Sequence, residues 1–223
     1  MRDAFSLMQK SQLVGEFDVT ITDKALMARN RKQSMSIYCT APFKDVVMFS
    51  DRTRKYYVMP FANFRCPVNK ALTAINAGLL SDTPVEKHGE TTYKKNKVTT
   101  YRSTPAFTKR QVARFKNQEV PGRGPHDYTC YTTDNPKVDE RLVSVIYRFY
   151  GLPVLPGFPL YAEFIDLGGD KNLSLTTEKM VKTKVDDSLF KLPPQYARAA
   201  KTEDLYVSND TADEMELMIA EPK

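Results

Sequence analysis

Two histidines, three cysteines and the adjacent carboxylates Asp186 and Asp187 are the side chains in which chemistry would first be sought. His88 stands in "EKHGE" and His126 in "GPHDY". Both contexts are polar and turn-like, and neither imidazole has a partner at a spacing that suits a general base. Asp186 and Asp187 read as the start of a turn or the cap of a helix. Cys39, Cys66 and Cys130 have neither CxxC spacing nor clustered histidines, which argues against a zinc site. They read as small buried hydrophobes. An odd count leaves at least one thiol unpaired, and one disulfide of undetermined pairing is compatible with a location outside the cytosol. Nucleophile-elbow, metalloprotease, phosphate-loop and dinucleotide patterns are absent. The lone GxG of Gly122 and Gly124 has no strand before it and no helix after it. The sequence points away from an enzyme, and no cofactor is expected.

What the chain has in excess is apolar, adaptable surface. Its 223 residues include nine Met, twelve Phe and twelve Tyr, with no Trp, and 41% are hydrophobic, enough for a substantial core. Charged residues make up 27% and the mean hydropathy is -0.47. No stretch approaches the roughly 18 apolar residues of a spanning helix. The formal charge of +6 hides an asymmetry: Phe61 to Pro125 carries 12 Lys and Arg against 4 Asp and Glu, whereas Glu203 to Glu221 has seven acids and no base. A basic segment can meet nucleic acid, an anionic lipid surface or solvent alone. "YKKNKVTTYR" and "TKRQVARFK" interleave bases with aromatics as single-strand binders do. Yet Tyr93 and Tyr101 fall at ordinary strand positions and no RNP-type pattern is present, so nucleic acid is not the expected partner. "MRDAFSLMQK" lacks the apolar core of a signal peptide. The chain is therefore read as cytosolic or as given without a native leader.

The elements that must position any site follow from periodicity. "EFDVTIT" and "SMSIYCTA" alternate as half-buried strands, while "DVVMFSD" and "KYYVMPF" are apolar on both faces and need two-sided cover. "CPVNKALTAINAGLLSD" shifts to a helical period, with Val68, Leu72, Ile75 and Leu79 on one face. "PVEKHGETTYKKNKVTTYRST" predicts two strands about a Lys and Asn turn, "TKRQVARFKNQ" a weakly helical or irregular basic connection, and "PGRGP" a loop. "DYTCYTT" is a short strand. "NPKVDERLVSVIYRFYG" is the second clear helix, with Asn135 as cap, Pro136 in the first turn, Val138, Leu142, Ile146 and Phe149 on one face, and Gly151 as stop. "LYAEFIDL", the "GGDK" turn and "NLSLTTEKMVKTKV" follow, and then "VDDSLFKLPPQY". Beyond it the tail suggests a short strand at "DLYVS" or a short helix around "ADEMELMIA". The sum is an α+β fold, an antiparallel meander of eight or more strands with helices near its middle, and such a sheet curls.

The closing order of strand, turn, strand and "VDDSLFKLPPQY", with "YGLP", "GFPLYAEF" and "APFKDVVMFSDRTRKYYVMP", resembles the LolA/LolB-like lipoprotein-carrier superfamily, in an uncharacterised branch. The resemblance covers most of residues 15–197. It implies a strongly curved, half-open antiparallel barrel with helices in its concave face, formed by residues 1–200 as a single domain, with 201–223 as a partly attached acidic tail. It implies a non-enzymatic carrier of lipid or lipoprotein acyl chains in the periplasm or cell envelope, with an anionic membrane surface or a lipoprotein as further partner. Two departures bear on the cargo: no lipobox cysteine is present, and no Trp. The apolar lining is expected from Phe49, Tyr57, Met59, Phe61, Ile146, Phe149, Phe158 and Phe164. The alternative reading is a cytosolic module that binds nucleic acid or protein through the basic segment 61–125.

Overall fold

The computed structural model describes residues 1–12, 14–30, 32, 34–66, 80–117 and 125–206. The first part of the chain is a meander of six antiparallel strands, β1 (Arg2–Ser11), β2 (Gly15–Ile21), β3 (Ala25–Asn30), β4 (Met35–Thr40), β5 (Asp45–Ser50) and β6 (Lys55–Pro60). A second antiparallel run comprises β7 (Val85–Tyr93), β8 (Asn96–Ser103), β9 (Pro125–Thr133), β10 (Phe158–Asp166) and β11 (Lys171–Val185). Pairing of β1 with β11 joins the two runs. The result is one open sheet of twelve strands, with the two-residue β12 (Ala197–Arg198) parallel to β6 at one edge and β7 at the other. Two α-helices occur among the described residues, α1 (Pro105–Lys116) and α2 (Glu140–Tyr150). This is the curved antiparallel α+β sheet that the sequence led us to expect.

Two strands depart from simple alternation. In β1 the buried residues are Ala4, Leu7, Gln9 and Ser11, so the period breaks between Ala4 and Leu7 and then holds, while the register shift beside Met8 and Gln9 leaves Glu178 unpaired as a bulge on β11. In β3, Ala25 to Ala28 are all buried, so no polar residue marks a face. The β7–β8 hairpin turns at Lys94 (φ 44) and Lys95 (φ 67), the left-handed pair that a tight two-residue hairpin requires. The segment "TKRQVARFKNQ" resolves as helix. Thr104 accepts from Phe107 N at 3.4 Å, Pro105 opens α1, and Phe107 is its buried anchor.

The second predicted helix is present, but it begins later than its sequence suggests. Its cap is Asp139, not Asn135. The Asp139 carboxylate accepts from Arg141 N at 2.9 Å and from the Arg141 guanidinium at 2.7 Å, so the strongest acceptor sets the start. Pro136 and Val138 therefore lie in the loop ahead of α2. Leu142, Ile146 and Phe149 are buried as the period requires, and Gly151 closes the helix at φ 68. Leu205 sits in a buried 3-10 turn at Thr202–Leu205 rather than a strand. The helix read in "CPVNKALTAINAGLLSD", most of "PGRGP" and the "ADEMELMIA" segment lie outside the described residues.

Both faces of the β3–β6 region are covered, as continuous apolarity demands. Val46 and Met48 of β5 join the main core with Leu7, Phe17, Val19, Ile37 and the α2 face. Their neighbour Phe49 points the other way, into a smaller cluster with Ala25, Met27 and Phe190. That cluster is roofed by the "DDSLFKLPPQY" segment: Leu189, Leu192 and Tyr196 pack on it, and Ala197 N and Ala199 N donate to Arg54 O and Tyr56 O at 2.9 and 2.7 Å.

The ring of Phe149 meets Phe17 edge-on at 4.7 Å between centroids, at the join between helix and sheet. Truncating Phe149 to Ala removes this contact and leaves a void. We expect it to lower the urea-unfolding free energy by about 3–5 kcal/mol, whereas Thr91→Ala on the exposed edge strand stays within about 0.5 kcal/mol.

Candidate ligand-binding groove

Residues 134–138, between β9 and α2, and residues 152–157, between α2 and β10, form one mouth of the curved sheet. Each is held by its flanks. The Asp139–Arg141 pair fixes the start of α2, and the Arg141 guanidinium also lies 4.3 Å from the Phe43 ring centroid. This pairing with Arg141 draws the Asp139 pKa below the ordinary carboxylate range. At the other end Leu152 N donates to Tyr147 O at 2.8 Å and the Tyr147 hydroxyl donates to Gly157 O at 3.0 Å. Prolines 153 and 156 keep this connection from extending either element. Val154 stands 55% exposed at its tip.

Two adjoining grooves open here, sharing Asp134, Lys137 and Val138. The first, about 770 Å³, lies against β1 and β2 and has Ala4, Phe5, Ile21 and Val138 as apolar wall. Arg2, Lys137 and Lys182 alternate with Asp3, Asp23 and Asp134 around it. The second, about 590 Å³, is bounded by Val138, Val143, Leu155 and Phe158 with Pro136 and Pro156. Arg2 is drawn to Asp187 at 3.2 Å, and the Lys182 ammonium lies 5.9 Å from the Phe5 ring centroid. An apolar trough with charged groups at its lip can bury a hydrocarbon chain while leaving a polar head in water.

Of the eight residues expected to line a cavity, seven share the main core. Ile146, Phe149, Phe158 and Phe164 are buried in it, and Tyr57, Met59 and Phe61 pack half-buried against it. Phe49 is set apart on the opposite face. Phe158 lines the second groove, and Phe149 bounds a small interior cavity of about 20 Å³ with Val14, Met48 and Cys66. Phe61 is fixed at the β6 end, where Arg148 donates to its carbonyl at 2.8 Å and stacks 5.3 Å from its ring centroid. Sequence reasoning missed Phe5, Ile21 and Leu155 and placed Val138 on a helix face. The proline spacing at 136, 153 and 156 was the available signal that these connections stand free of both neighbouring elements.

The residues first considered for chemistry are occupied otherwise. His126 Nδ1 lies 2.9 Å from Asp166 O and 3.1 Å from Ile165 O, while Asp186 caps the turn after β11 by accepting from Ser188 N at 2.8 Å. Among the described residues no group of three or more His, Cys, Asp and Glu is arranged to hold a metal ion. The three cysteines are buried and not disulfide-bonded, and burial pushes the Cys39 and Cys130 thiols up to about 12, which disfavours the nucleophilic thiolate. Tyr93, from the basic segment, packs against Tyr131 and Tyr161 with centroids 5.5 and 5.4 Å away. Its ring is committed to the fold rather than offered as a stacking platform.

No protein-family model and no curated protein matches the chain. Solved structures with a similar fold include an uncharacterised conserved protein from Thermus thermophilus, at 9% identity and TM-score 0.49, covering 89% of this chain and 90% of that one. PNGF-II aligns at 10% identity and TM-score 0.47 over 96% of this chain, which spans 32% of that protein. A LolA superfamily protein from Nitrosomonas europaea aligns at 8% identity and TM-score 0.25, over 85% of this chain and 89% of that one.

The buried thiols give a pH signature. A cysteine that ionises at 9.0 when unfolded and near 12 when folded contributes no pH dependence below 9. Between 9 and 12 the unfolded chain releases protons that the native protein retains, so stability falls with rising pH through that window. We expect the urea midpoint to drop across it, and the Cys130→Ala variant to show a shallower decline than the parent. Equal slopes would mean that this thiol is not the buried group responsible.

Proposed function

We propose that this protein is a non-enzymatic binding or carrier protein for a hydrophobic, lipid-like ligand, held in the joined grooves at the mouth of the sheet. The observation that carries this reading is that the two grooves adjoin, sharing Asp134, Lys137 and Val138, and combine the apolar side chains of Phe5, Val138 and Leu155 with charged residues of both signs. On this reading an alkyl chain lies along Phe5 and Val138 and continues toward Leu155. Its polar end stays at the lip, within reach of Lys137 and Lys182. Burying eight methylenes there releases about 6 kcal/mol before the costs of ordering the chain, enough for reversible binding without a covalent step. The exposed Val154 offers a first apolar contact to a chain arriving from a membrane or another protein. On this reading the protein works in the cell envelope on lipid or lipoprotein acyl chains, in keeping with the LolA/LolB-like character of its sequence.

A fluorescent fatty-acid analogue should bind the pure protein saturably and be displaced by a lipid extract. A carboxylate placed in the trough by Val138→Asp or Leu155→Asp must be desolvated by the chain, and each should weaken binding by about tenfold or more. Thr91→Asp, on the exposed edge strand, should leave binding unchanged. A protein that takes up no apolar probe, or variants that bind as the parent does, would remove the carrier reading.

A further inference from the structure

The longest strand in the fold is only half embedded. β11 runs fifteen residues, from Lys171 to Val185. On one side β1 pairs with it through Val185, but on the other β10 pairs only as far as Tyr161 opposite Thr176. The next residues of β10 outward are Leu160 and Pro159. A proline carries no N–H for a ladder bond, and the side-chain amide of Gln9 approaches Pro159 O at 3.4 Å. Among the described residues, then, β11 from Glu178 to Val185 has a partner strand on one edge alone. The Lys94 ammonium, at the tip of the β7–β8 hairpin, donates to Thr177 O at 3.0 Å and pairs with Glu178 at 3.3 Å. It satisfies the last carbonyl before the open stretch and neutralises its one acid. Beyond that point alternate residues direct N–H and C=O groups away from β1 with no strand among the described residues to receive them, which is a template for an added strand.

The side chains of this edge select what can add to it. Lys179, Lys182 and Lys184 are exposed, Val181 is 41% exposed, and the three lysines make no ion pair among the described residues. Lys179 and Val181 project to one face, Lys182 and Lys184 to the other. A second copy of this chain in the antiparallel register centred on Lys182 sets that lysine against itself, and like charges directly opposed across strands destabilise the pair. An acidic, extended segment meets the reverse situation: carboxylates on one face lie across from Lys182 and Lys184, and apolar residues on the other face cover Val181.

We propose that the open edge of β11 from Glu178 to Val185 is a docking site for an extended acidic segment of a partner protein, added as an antiparallel strand. Backbone bonds supply the attachment and the lysines supply the selection, the usual division in strand addition. Lys182 and Thr183 also line the larger groove, so a docked segment borders the mouth. The site is defined by the backbone and stands whether or not that groove holds a lipid.

The test is amide hydrogen exchange on the whole protein with a short synthetic peptide alternating Glu and Val, set against a Lys and Val counterpart and against the acidic peptide interrupted by a central proline. In the free protein the amides of 178–185 that face away from β1 should exchange rapidly at every protein concentration. The Glu and Val peptide should slow them selectively. Reversing the two lysines that face the peptide's carboxylates, Lys182→Glu and Lys184→Glu, should weaken that peptide by about tenfold or more and favour the Lys and Val peptide instead, with the circular dichroism of the variant unchanged. The proposal is overturned by unchanged exchange in 178–185 at saturating peptide, by equal protection from the proline-interrupted peptide, or by protection in the free protein that rises with its own concentration, which would assign the edge to a second copy.

Discussion

Everything in this molecule hangs on the pairing of its first strand with its last long one. Nine residues of β1, from Arg2 to Lys10, find partners in β11 between Thr176 and Val185, far along the chain. Without that ladder the six-strand meander and the five-strand run are separate sheets, each with an exposed apolar face. With it they become one curved surface. Contacts so distant in sequence are entropically costly to nucleate and come together late, so the ladder must be long to repay the closure. Its length in turn explains the overhang of β11: the strand is sized for β1 and outruns β10.

Once the sheet is joined, its curvature gives the two faces different tasks. The concave face takes α2, whose buried side chains from Leu142 to Tyr150 knit the two strand runs into one core through Phe17, Met48 and Tyr128. The opposite face, around Met27 and Phe49, is closed by the chain that follows β11, where a 3-10 turn delivers Phe190 and the following residues add β12 to the edge of β6. The proline-rich ending is thus a cover for doubly apolar strands as well as a terminus. Neither cover reaches the mouth, where β1 and β11 extend past the helix and the prolines at 136, 153 and 156 hold two connections away from the sheet. The grooves lie between these parts.

No His or Cys is among the described residues that line the two grooves. The cysteines, with Tyr128 and Tyr150, are deep in the core, where burial holds Cys130, Tyr128 and Tyr150 in their neutral forms. The larger groove is lined instead by charged residues of both signs, Arg2, Lys137 and Lys182 with Asp3, Asp23 and Asp134.

Local pattern determined the alternating strands β2, β4 and β8, the Lys94 and Lys95 hairpin, the face of α2 and its Gly151 stop, because each is decided by interactions within a few residues. It also required that β5 and β6 be covered on both faces. It could not assign those faces: in a run such as "DVVMFS" every central position is apolar, and only the register with β4 and β6 places Met48 toward α2 and Phe49 away from it. Nor could it disclose β1, whose buried positions change parity between Ala4 and Leu7 and include the polar Gln9 and Ser11, or the true cap of α2, where Asp139 prevails over Asn135 through a guanidinium two residues on. The grooves belong wholly to the tertiary structure. Phe5, Ile21, Val138 and Leu155 are ordinary residues of four separate segments, and they border one opening only because a ladder between the two distant halves of the chain brings those segments together.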